Sequence, residues 1–290
     1  MAKIKAGIIG TGNIGTDILM KLQRSNFLEC GIFAGRNHDS RGIEIAKKMG
    51  VSTSVDSIKA IESDPDCCEI VFDATSASAH KIHAPILKSL DKFVIDLTPS
   101  KLGKMCIPVL NIDECLEESN LNLVTCGGQA SIPIACAIKK IHPEVNYFEV
   151  VSSMASKSAG QGTRDNIDEF TQTTRDALIE FTNTENAKAI IILNPAEPPI
   201  TMKTTVYALI NNPDIENIRK EVKNMVNKIQ KYVPGYSIVT EPVYKEGKLT
   251  IILQVIGLGD YLPKYAGNLD IITCAAIEIG EKYAEKRLLG

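Results

Sequence analysis

The segment "IKAGIIGTGNIGTD" (residues 4–17) joins a strand-like apolar run to a helical pattern through three spaced glycines. Gly10, Gly12 and Gly15 stand in G-x-G-x-x-G order, which between a strand and a helix is typical of dinucleotide-binding folds. In this interpretation Gly10 allows a tight turn, Gly12 lets the backbone approach a pyrophosphate, and Gly15 lets the helix pack on the strand. The phosphates then meet free N–H groups at the helix N-terminus. The alternative is a tight turn without a ligand.

Short apolar runs and helical patterns alternate through the first third of the chain. Strands are predicted at "KIKAGIIG", "LECGIFAG", "CEIVFDAT" and "KFVIDLTP", and helices at "NIGTDILMKLQRS", "RGIEIAKKMG" and "AHKIHAPILKSL". Strands that are apolar throughout indicate a parallel sheet covered on both faces. The predicted fold class is therefore α/β, with a Rossmann-type parallel sheet at the N-terminus.

The pattern changes after Cys126, where the strands become longer. Two long helices are predicted at 164–184 and 215–232, and "EGK" (residues 246–248) joins two β-rich runs as a hairpin turn. The segment "LDIITCAAIEIGEKYAEKRLL" predicts a terminal helix. This half is predicted to be an α+β domain with a largely antiparallel sheet.

The composition is that of a cytoplasmic enzyme rather than a nucleic-acid or membrane protein. The 290 residues are 44% hydrophobic and 23% charged, with a net charge of −3. No basic patch and no apolar run long enough to cross a bilayer is expected, and "MAKIKAGIIGTG" leads straight into a strand without a secretory segment. The eight cysteines are scattered without metal-ligand spacing, so reduced thiols and no metal site are expected.

The preference between NAD and NADP stays open. An acidic residue after the second strand holds the ribose of NAD and repels a 2′-phosphate. Here the segment is "FAGRNHDSRG", with Arg36 and Arg41 and no carboxylate before Asp39. Arginine suits a 2′-phosphate, but two solvated loop arginines explain the pattern equally well.

Cys126 lies in "NLVTCGGQASIP", between a strand-like run and a helical segment. A helix N-terminus lowers a thiol pKa, and the N–H groups of Gly127 and Gly128 are candidates to hold an oxyanion. Pro133 is expected in the first turn of the helix. The alternative for Cys126 is a buried structural thiol.

Six blocks of the sequence, in order, resemble the acylating acetaldehyde dehydrogenases. They are "TGNIGTD" (11–17), "FDATSASAH" (72–80), "VTCGGQASIP" (124–133), "SKSAGQGTRDNIDEFT" (156–171), "KAIIILNPAEPPI" (188–200) and "GNLDIITCAA" (267–276). The resemblance implies oxidation of acetaldehyde with NAD and CoA through an acyl-thioester on Cys126, as part of the catabolism of aromatic compounds. It also implies a homodimer within a heterotetramer with 4-hydroxy-2-oxovalerate aldolase.

The resemblance further implies a glyceraldehyde-3-phosphate-dehydrogenase-like architecture and three sets of cofactor contacts. The expected dinucleotide-binding domain is 1–128, with the helix 267–290 packed back on it, and the catalytic and oligomerisation domain is 129–266. The implied contacts are Thr11, Gly12, Asn13 and Ile14; Ser158, Ala159, Gly160, Gln161, Gly162, Thr163, Arg164, Asp165 and Asn166; and Asn268. Without the resemblance, the first interpretation of the loop 158–166 is a plain strand-to-helix connection.

One position departs from the pattern of that family. Thr204 stands where an aspartate near the thiol is expected, and a threonine cannot act as a base at neutral pH. His80 and His83 are predicted to lie on a surface helix. Residues 190–193 are predicted to form a buried strand, with Ile191, Leu193 and Ile167 as an alternative apolar passage for aldehyde.

The chemistry that the resemblance implies is attack of the Cys126 thiolate on the aldehyde, loss of a hydride and transfer of the acyl group to CoA. Two alternatives remain. A semialdehyde dehydrogenase of the same fold uses phosphate in place of CoA, and it needs an anion site and usually a histidine beside the thiol. A non-catalytic dinucleotide-binding protein needs no reactive thiol.

Overall fold

A computed structural model describes residues 2–160, 164 and 167–289, which form two compact units. The first unit comprises the chain up to Leu123, Asp260–Leu262, and the chain from Thr273 onward. The second comprises Val124–Gly259 and Pro263–Ile272. The functional domain boundaries 1–128 and 129–266 stay a prediction.

The first unit contains a sheet of parallel strands, as predicted. Its strands are β1 (Ile4–Ile9), β2 (Leu28–Ala34), β3 (Thr53–Ser54), β4 (Ile70–Asp73), β5 (Phe93–Asp96), β6 (Lys104–Met105) and β7 (Asn120–Asn122). Their order across the sheet is β3-β2-β1-β4-β5-β7-β6, and every pairing is parallel. Each residue of β4 and β5 is buried, because helices cover both faces of a parallel sheet.

The helices of the first unit connect successive strands. They are α1 (Asn13–Leu22), α2 (Arg41–Lys48), α3 (Lys59–Ser63), α4 (Ala77–Ser89) and α5 (Pro108–Cys115). Since all strands run in one direction, the loops that follow β1, β2 and β4 meet at one edge of the sheet. That edge is where ligands bind in folds of this topology.

The second unit contains the sheet that was predicted to be largely antiparallel. Its strands are β8 (Tyr147–Ala155), β9 (Asn186–Asn194), β10 (Met202–Leu209), β11 (Tyr236–Lys245) and β12 (Lys248–Val255). Its helices, in addition to the start of the terminal helix, include α6 (Cys126–Ile141), α7 (Ile167–Thr182) and α8 (Ile215–Ile229). The order is β11-β12-β10-β8-β9, and among the described pairings of this sheet only that of β8 with β9 is parallel. Glu246 and Gly247, both at positive φ, form the predicted hairpin turn.

The terminal helix α9 (Gly267–Leu289) is longer than the other described helices. Its residues from Thr273 onward belong to the first unit, where Phe93 and Tyr283 stack with ring centroids 4.1 Å apart. Within the described residues, no helix is both long enough and apolar enough to cross a membrane.

Two local predictions were wrong. Pro133 lies inside α6 rather than in its first turn, because the cap at Thr125 starts the helix at Cys126. Residues 190–193 are half-buried or exposed, because β9 is an edge strand that pairs only with β8 among the described strands.

Candidate active site

The three spaced glycines at the start of the chain meet three different constraints. Gly10 has a φ of 108°, and a Cβ on it would lie 2.5 Å from the carbonyl oxygen of Ala74. A Cβ on Gly15 would lie 1.8 Å from the carbonyl oxygen of Gly10, so only glycine lets α1 pack here. A Cβ on Gly12 would meet nothing within 4 Å among the described residues. Gly12 therefore borders open space at the start of α1, which is where a diphosphate binds.

That open space is part of a cavity of about 420 Å³ at the carboxyl edge of the parallel sheet. Its lining comes from the loops after β1, β2 and β4: Gly10, Thr11, Gly12, Gly35, Arg36, Asn37, Ser40, Ala74, Thr75 and Ser76, with Ser57. Two predicted contacts, Thr11 and Gly12, line the cavity, and the other two, Asn13 and Ile14, are the first residues of α1. The site thus has the position and the backbone donors that a dinucleotide requires.

The wall formed by the loop after β2 carries a cation and no carboxylate. Arg36, Asn37 and Ser40 line it, and the described lining residues include no Asp or Glu. The Ser40 hydroxyl contacts the carbonyl oxygen of Thr11 at 3.0 Å and the Thr11 hydroxyl at 2.9 Å. Arg41 lies outside the lining, with its guanidinium 5.9 Å from the ring centroid of Tyr261.

In the second unit, Cys126 is the first residue of α6 and follows a strained turn. Val124 has a φ of 61°, a conformation that β-branched residues rarely adopt. Thr125 caps the helix by accepting a hydrogen bond of 2.9 Å from the N–H of Gly128, and its hydroxyl lies 2.7 Å from that of Thr174. Such strain costs about 1–3 kcal/mol and persists only where packing enforces it, which is frequent at functional sites.

The sequence predicts a lowered pKa for the Cys126 thiol, but in the structure this pKa is raised. Burial raises the pKa of the Cys126 thiol to about 12, and the backbone N–H groups of Gly127 and Cys126 act in the opposite direction. The helix terminus therefore works as predicted, but the loss of water around the sulfur is the larger effect. The residue keeps part of its surface accessible.

Of the two N–H groups predicted to hold an oxyanion, those of Gly127 and Gly128, one already has a hydrogen-bond partner. The N–H of Gly128 is already bonded to the Thr125 hydroxyl, because this bond caps α6. The N–H of Gly127 faces the sulfur of Cys126. Gly127 is therefore the donor that remains from the predicted pair.

Thr204 lies on the buried face of the second sheet, directly opposite Ser152 in the pairing of β10 with β8. The two hydroxyl oxygens are 3.1 Å apart. A Cβ on Gly127 would lie 2.9 Å from the Ser152 hydroxyl and 3.3 Å from the Phe170 ring. Ser152 therefore packs beneath the first turn of α6 at Gly127, the residue that follows Cys126, and Thr204 is its hydroxyl partner.

Two of the predicted cofactor contacts meet in the second unit. The Asn268 amide donates a hydrogen bond of 3.3 Å to the carbonyl oxygen of Ser158, and Asn268 is 3% exposed. Its Oδ1 is buried and has no partner within the described part of the chain. A buried amide oxygen without a donor is costly, so it marks a place where a ligand N–H fits.

The rest of the loop 158–166 is described in part. Ala159 is buried and Gly160 is exposed, while Gln161, Gly162, Thr163, Asp165 and Asn166 lie outside the described residues. Arg164 is exposed and donates to the Ser156 carbonyl oxygen at 2.6 Å. Ile167 is 38% exposed, and Ile191 and Leu193 are half-buried on the edge strand β9. The apolar passage stays a prediction.

The prediction that His80 and His83 lie on a helix surface was wrong. Both are buried, and each Nδ1 lies against the Oδ2 of Asp73, at 2.9 Å for His80 and 2.8 Å for His83. Sequence analysis missed this because the i, i+3 spacing of the histidines gives no sign of the carboxylate at the end of β4. The sequence does carry one sign of this cluster: Asp73 ends an apolar strand at the carboxyl edge of the predicted sheet, where functional residues of such folds lie.

Comparison with known proteins agrees with this geometry. A family profile described as "Semialdehyde dehydrogenase, NAD binding domain" matches residues 5–106, and one described as "Prokaryotic acetaldehyde dehydrogenase, dimerisation" matches residues 126–263. The chain is 53% identical to the acetaldehyde dehydrogenase of Pectobacterium atrosepticum, over 98% of this chain and 97% of that protein. It is 50% identical to that of Geobacillus stearothermophilus, over 99% and 98%, and 51% identical to that of Spirochaeta aurantia, over 97% and 95%.

The fold, the dinucleotide cavity and these matches define an NAD-dependent aldehyde dehydrogenase. More particularly, the chain belongs to the acetaldehyde dehydrogenase family. The match to a dimerisation domain supports a homodimer.

Proposed function

We propose that this enzyme oxidises acetaldehyde and short homologues with NAD⁺ and CoA to acetyl-CoA and NADH, through a thioester on Cys126. The observation that carries this proposal is the position of Cys126 as the first residue of α6, directly after the strained Val124 and its capping neighbour Thr125. The names of the relatives, which are acetaldehyde dehydrogenases, support the choice of substrate.

Each of the two units, taken by itself, contains residues that fit a part of NAD. Gly12 leaves open space in front of the N-terminus of α1 for the pyrophosphate. The unpartnered Oδ1 of Asn268 suits the amide N–H of a nicotinamide, and the carbonyl of Ser158 holds the other end of that side chain. Bound NAD⁺ supplies the acceptor for the hydride that leaves the aldehyde carbon.

The role of Cys126 is nucleophilic. Its thiolate adds to the aldehyde carbon and gives a hemithioacetal whose oxygen carries the negative charge. The N–H of Gly127, which faces the sulfur of Cys126, is the candidate donor to that oxygen. After the hydride has left, the carbon is held as a thioester. The CoA thiol then attacks that carbon, Cys126 leaves as a thiolate, and acetyl-CoA is released.

The pKa of about 12 at Cys126 means that the thiolate must form during the reaction. If the proton leaves Cys126 only when the aldehyde is bound, the thiol stays protonated at other times, and this protects it from side reactions. The hydroxyls of Ser152 and Thr204 cannot act as bases at neutral pH. We therefore propose that a substrate-delivered or water-delivered base takes the proton, so the rate of thioester formation should rise with pH.

The test is NADH formation from acetaldehyde and NAD⁺, followed by absorbance with CoA, with phosphate, and with neither. Sustained turnover with CoA alone supports the proposal, and turnover with phosphate supports the semialdehyde-type alternative. Cys126→Ala should abolish even a single-turnover burst, whereas the matched control Cys136→Ala should not. Absence of any burst in the unmodified enzyme would leave a non-catalytic dinucleotide-binding protein.

We further propose that NADP is tolerated. The support is the lining of the cavity, where Arg36 replaces the usual carboxylate and Ser40 adds a hydroxyl. Arg36→Ala should raise the KM for NADP⁺ by about tenfold and leave the KM for NAD⁺ within about twofold. Equal effects on both cofactors would show that Arg36 does not contact a 2′-phosphate.

We propose that the homodimer forms through the sheet face of the second unit that lies opposite α6. Val151, Thr205 and Ile252 stand side by side on this face, and all three are only half-buried. Leu209 on the same face is 53% exposed. A second copy of the chain would cover this apolar surface.

From the resemblance of the six sequence blocks, we also propose association with 4-hydroxy-2-oxovalerate aldolase as a heterotetramer, in the catabolism of aromatic compounds. All eight cysteines are free thiols, which supports a reducing compartment such as the cytoplasm. The test is NADH formation from 4-hydroxy-2-oxovalerate by the mixed enzymes in the presence of an acetaldehyde trap. Complete inhibition by the trap would argue against a passage at Ile167, Ile191 and Leu193.

A further inference from the structure

Two carboxylates and two imidazoles form a buried polar cluster at the carboxyl ends of β4 and β5. We call Asp73, His80, His83 and Asp96 the Asp73 cluster. Asp73, His80 and Asp96 are fully buried, and His83 is 6% exposed. Groups of this kind are expensive to bury, so each must be paired, and a cluster that the predicted reaction does not use calls for another role.

The cluster is connected to the dinucleotide cavity through Thr75. The Oδ1 of Asp73 accepts a hydrogen bond of 3.1 Å from the N–H of Thr75 and a second, shorter one from its hydroxyl. Thr75 and its neighbours Ala74 and Ser76 form the wall of the cavity that faces Gly10 and Gly12. One oxygen of Asp73 therefore holds the cavity wall, and the other is held by the two histidines.

Carboxylates flank both nitrogens of the His80 ring, and this arrangement favours the imidazolium. Its Nδ1 lies 2.9 Å from Asp73, and its Nε2 lies 3.6 Å from the Oδ2 of Asp96. A neutral imidazole has one N–H and cannot face two carboxylates with a hydrogen on both nitrogens. The charge of a protonated His80 compensates both buried carboxylates at once.

Asn120 on β7 supports the same assignment. Its Nδ2 lies 3.3 Å from the Nε2 of His80, while its buried Oδ1 has no partner within the described residues. Rotating this amide by half a turn lets Oδ1 accept a hydrogen bond from Nε2, provided that Nε2 carries a hydrogen. A protonated His80 thus satisfies an amide oxygen that a neutral one leaves unpaired.

We propose that the Asp73 cluster is a positioning device for the dinucleotide: protonated His80, with His83, fixes Asp73, and Asp73 fixes the 74–76 wall of the cavity. Loss of the His80 proton leaves two buried carboxylates with less compensation, so the wall loosens and affinity for the dinucleotide falls. This inference rests on the assignment of the cavity to NAD.

The groups that face His80 are two carboxylates, an amide and a second imidazole, and the carboxylates favour its protonated form. They are Asp73 from β4, His83 from its own helix, Asp96 from β5 and the amide of Asn120 from β7. Asp96 itself is held by Ser100, Thr98 and Asn122. Burial acts to lower the pKa of His80, but Asp73 and Asp96 outweigh it, and the pKa is raised. The affinity should accordingly be full at low pH and fall as the pH rises through this raised pKa.

The test is the Kd for NADH between pH 6 and 9.5, measured by the fluorescence of NADH itself because the chain contains no Trp. His80→Asn keeps a donor at the position of Nδ1 but cannot titrate. For the unmodified enzyme we expect the Kd to rise by about tenfold across this range, as the loss of one charged hydrogen-bonding group implies. For His80→Asn we expect a Kd that no longer depends on pH.

His38, an exposed histidine in the loop after β2, is the matched control. His38→Asn should keep both the Kd and its pH dependence. Thr75→Val, which removes only the hydroxyl that Asp73 accepts, should weaken NADH binding by about tenfold at every pH, so the proposal remains testable if His80→Asn does not fold.

Three results would overturn the proposal. They are a Kd of the unmodified enzyme that is constant with pH, a His80→Asn variant with unchanged pH dependence, and a Thr75→Val variant with normal affinity. Absence of NADH binding by the unmodified enzyme at any pH would instead overturn the assignment of the cavity, and the inference with it.

Discussion

The hydroxyl of Ser152 on β8 lies 3.1 Å from that of Thr204 on β10. Both residues are buried, and Ser152 packs against Gly127 in the first turn of α6. One of the two hydroxyls donates to the other, so each is the other's partner in a buried part of the second unit. The position at which the family pattern expects an aspartate is therefore filled by half of a neutral hydrogen-bonded pair. This arrangement supports the start of α6 without adding a charge near the thiol.

Removing the Thr204 hydroxyl should destabilise the second unit. Thr204→Val keeps the shape of the side chain but leaves the Ser152 hydroxyl unpaired, which costs about 1–3 kcal/mol in free energy of unfolding. Thr205→Val, on the other face of β10, should change it by less than about 0.5 kcal/mol. Urea unfolding measures both, and equal effects would mean that the hydroxyl pair contributes no stability.

Substitutions of two glycines in the first loop should have different effects, one on NADH binding and the other on folding. Gly12→Ala adds a methyl group toward open space, so we expect normal thermal stability and NADH affinity reduced by at least about tenfold. Gly15→Ala adds one 1.8 Å from the carbonyl oxygen of Gly10, which forces α1 away from β1 and costs about 1–3 kcal/mol or more. Thermal melts and NADH titrations of the two variants distinguish these effects. Normal affinity of Gly12→Ala would contradict the assignment of the pyrophosphate site.

The reactivity of Cys126 should follow its raised pKa. Because that pKa is about 12, the thiolate fraction in the chain without substrate rises about tenfold per pH unit from 7 to 10. Alkylation by iodoacetamide, followed by peptide mass spectrometry, should show this slope without a plateau. A plateau near pH 8 would mean that the helix terminus dominates over burial after all. Cys136, whose pKa burial also raises to about 12, is the internal comparison.

Asp73 should contribute to acid stability. Burial acts to raise the pKa of Asp73, but hydrogen bonds from His80, His83 and Thr75 lower it to about 2. A lowered carboxyl pKa gives stability that is present above the unfolded value near 3.8 and is lost as the pH falls toward 2, and its size is about 2 kcal/mol. The difference in unfolding free energy between Asp73→Asn and the unmodified chain should therefore be large at pH 6 and small at pH 2.5. A constant difference would contradict the assignment of the lowered pKa.

The proposed dimer face can be tested with one charge. Ile252→Glu places a carboxylate at the centre of that face, and burying it without a partner should shift the protein to monomers. Lys223→Glu, on the exposed side of α8, is the control and should leave the dimer intact. Sedimentation velocity measures both, and a dimeric Ile252→Glu variant would place the interface elsewhere.

Sequence patterns predicted the large elements because these depend on local spacing. Continuous apolar strands and intervening amphipathic helices are properties of short segments, and they predicted the parallel sheet, the largely antiparallel sheet and the hairpin at Glu246 and Gly247. Predictions of which individual side chains are buried were less successful. Residues 190–193 are as apolar as a central strand, but their place at a sheet edge is decided by which strands pair with them.

The sequence by itself determined the glycine loop at Gly10, Gly12 and Gly15, the junction at Cys126 and the order of the elements, since each depends on residues that are neighbours in the chain. Only the tertiary structure decided that His80 and His83 are buried around Asp73, that Thr204 pairs with Ser152, and that the Cys126 pKa is raised rather than lowered. These three outcomes depend on dehydration and on partners that belong to other elements of the fold. Both arise when separate segments pack together, and neither leaves a periodic signal in the sequence.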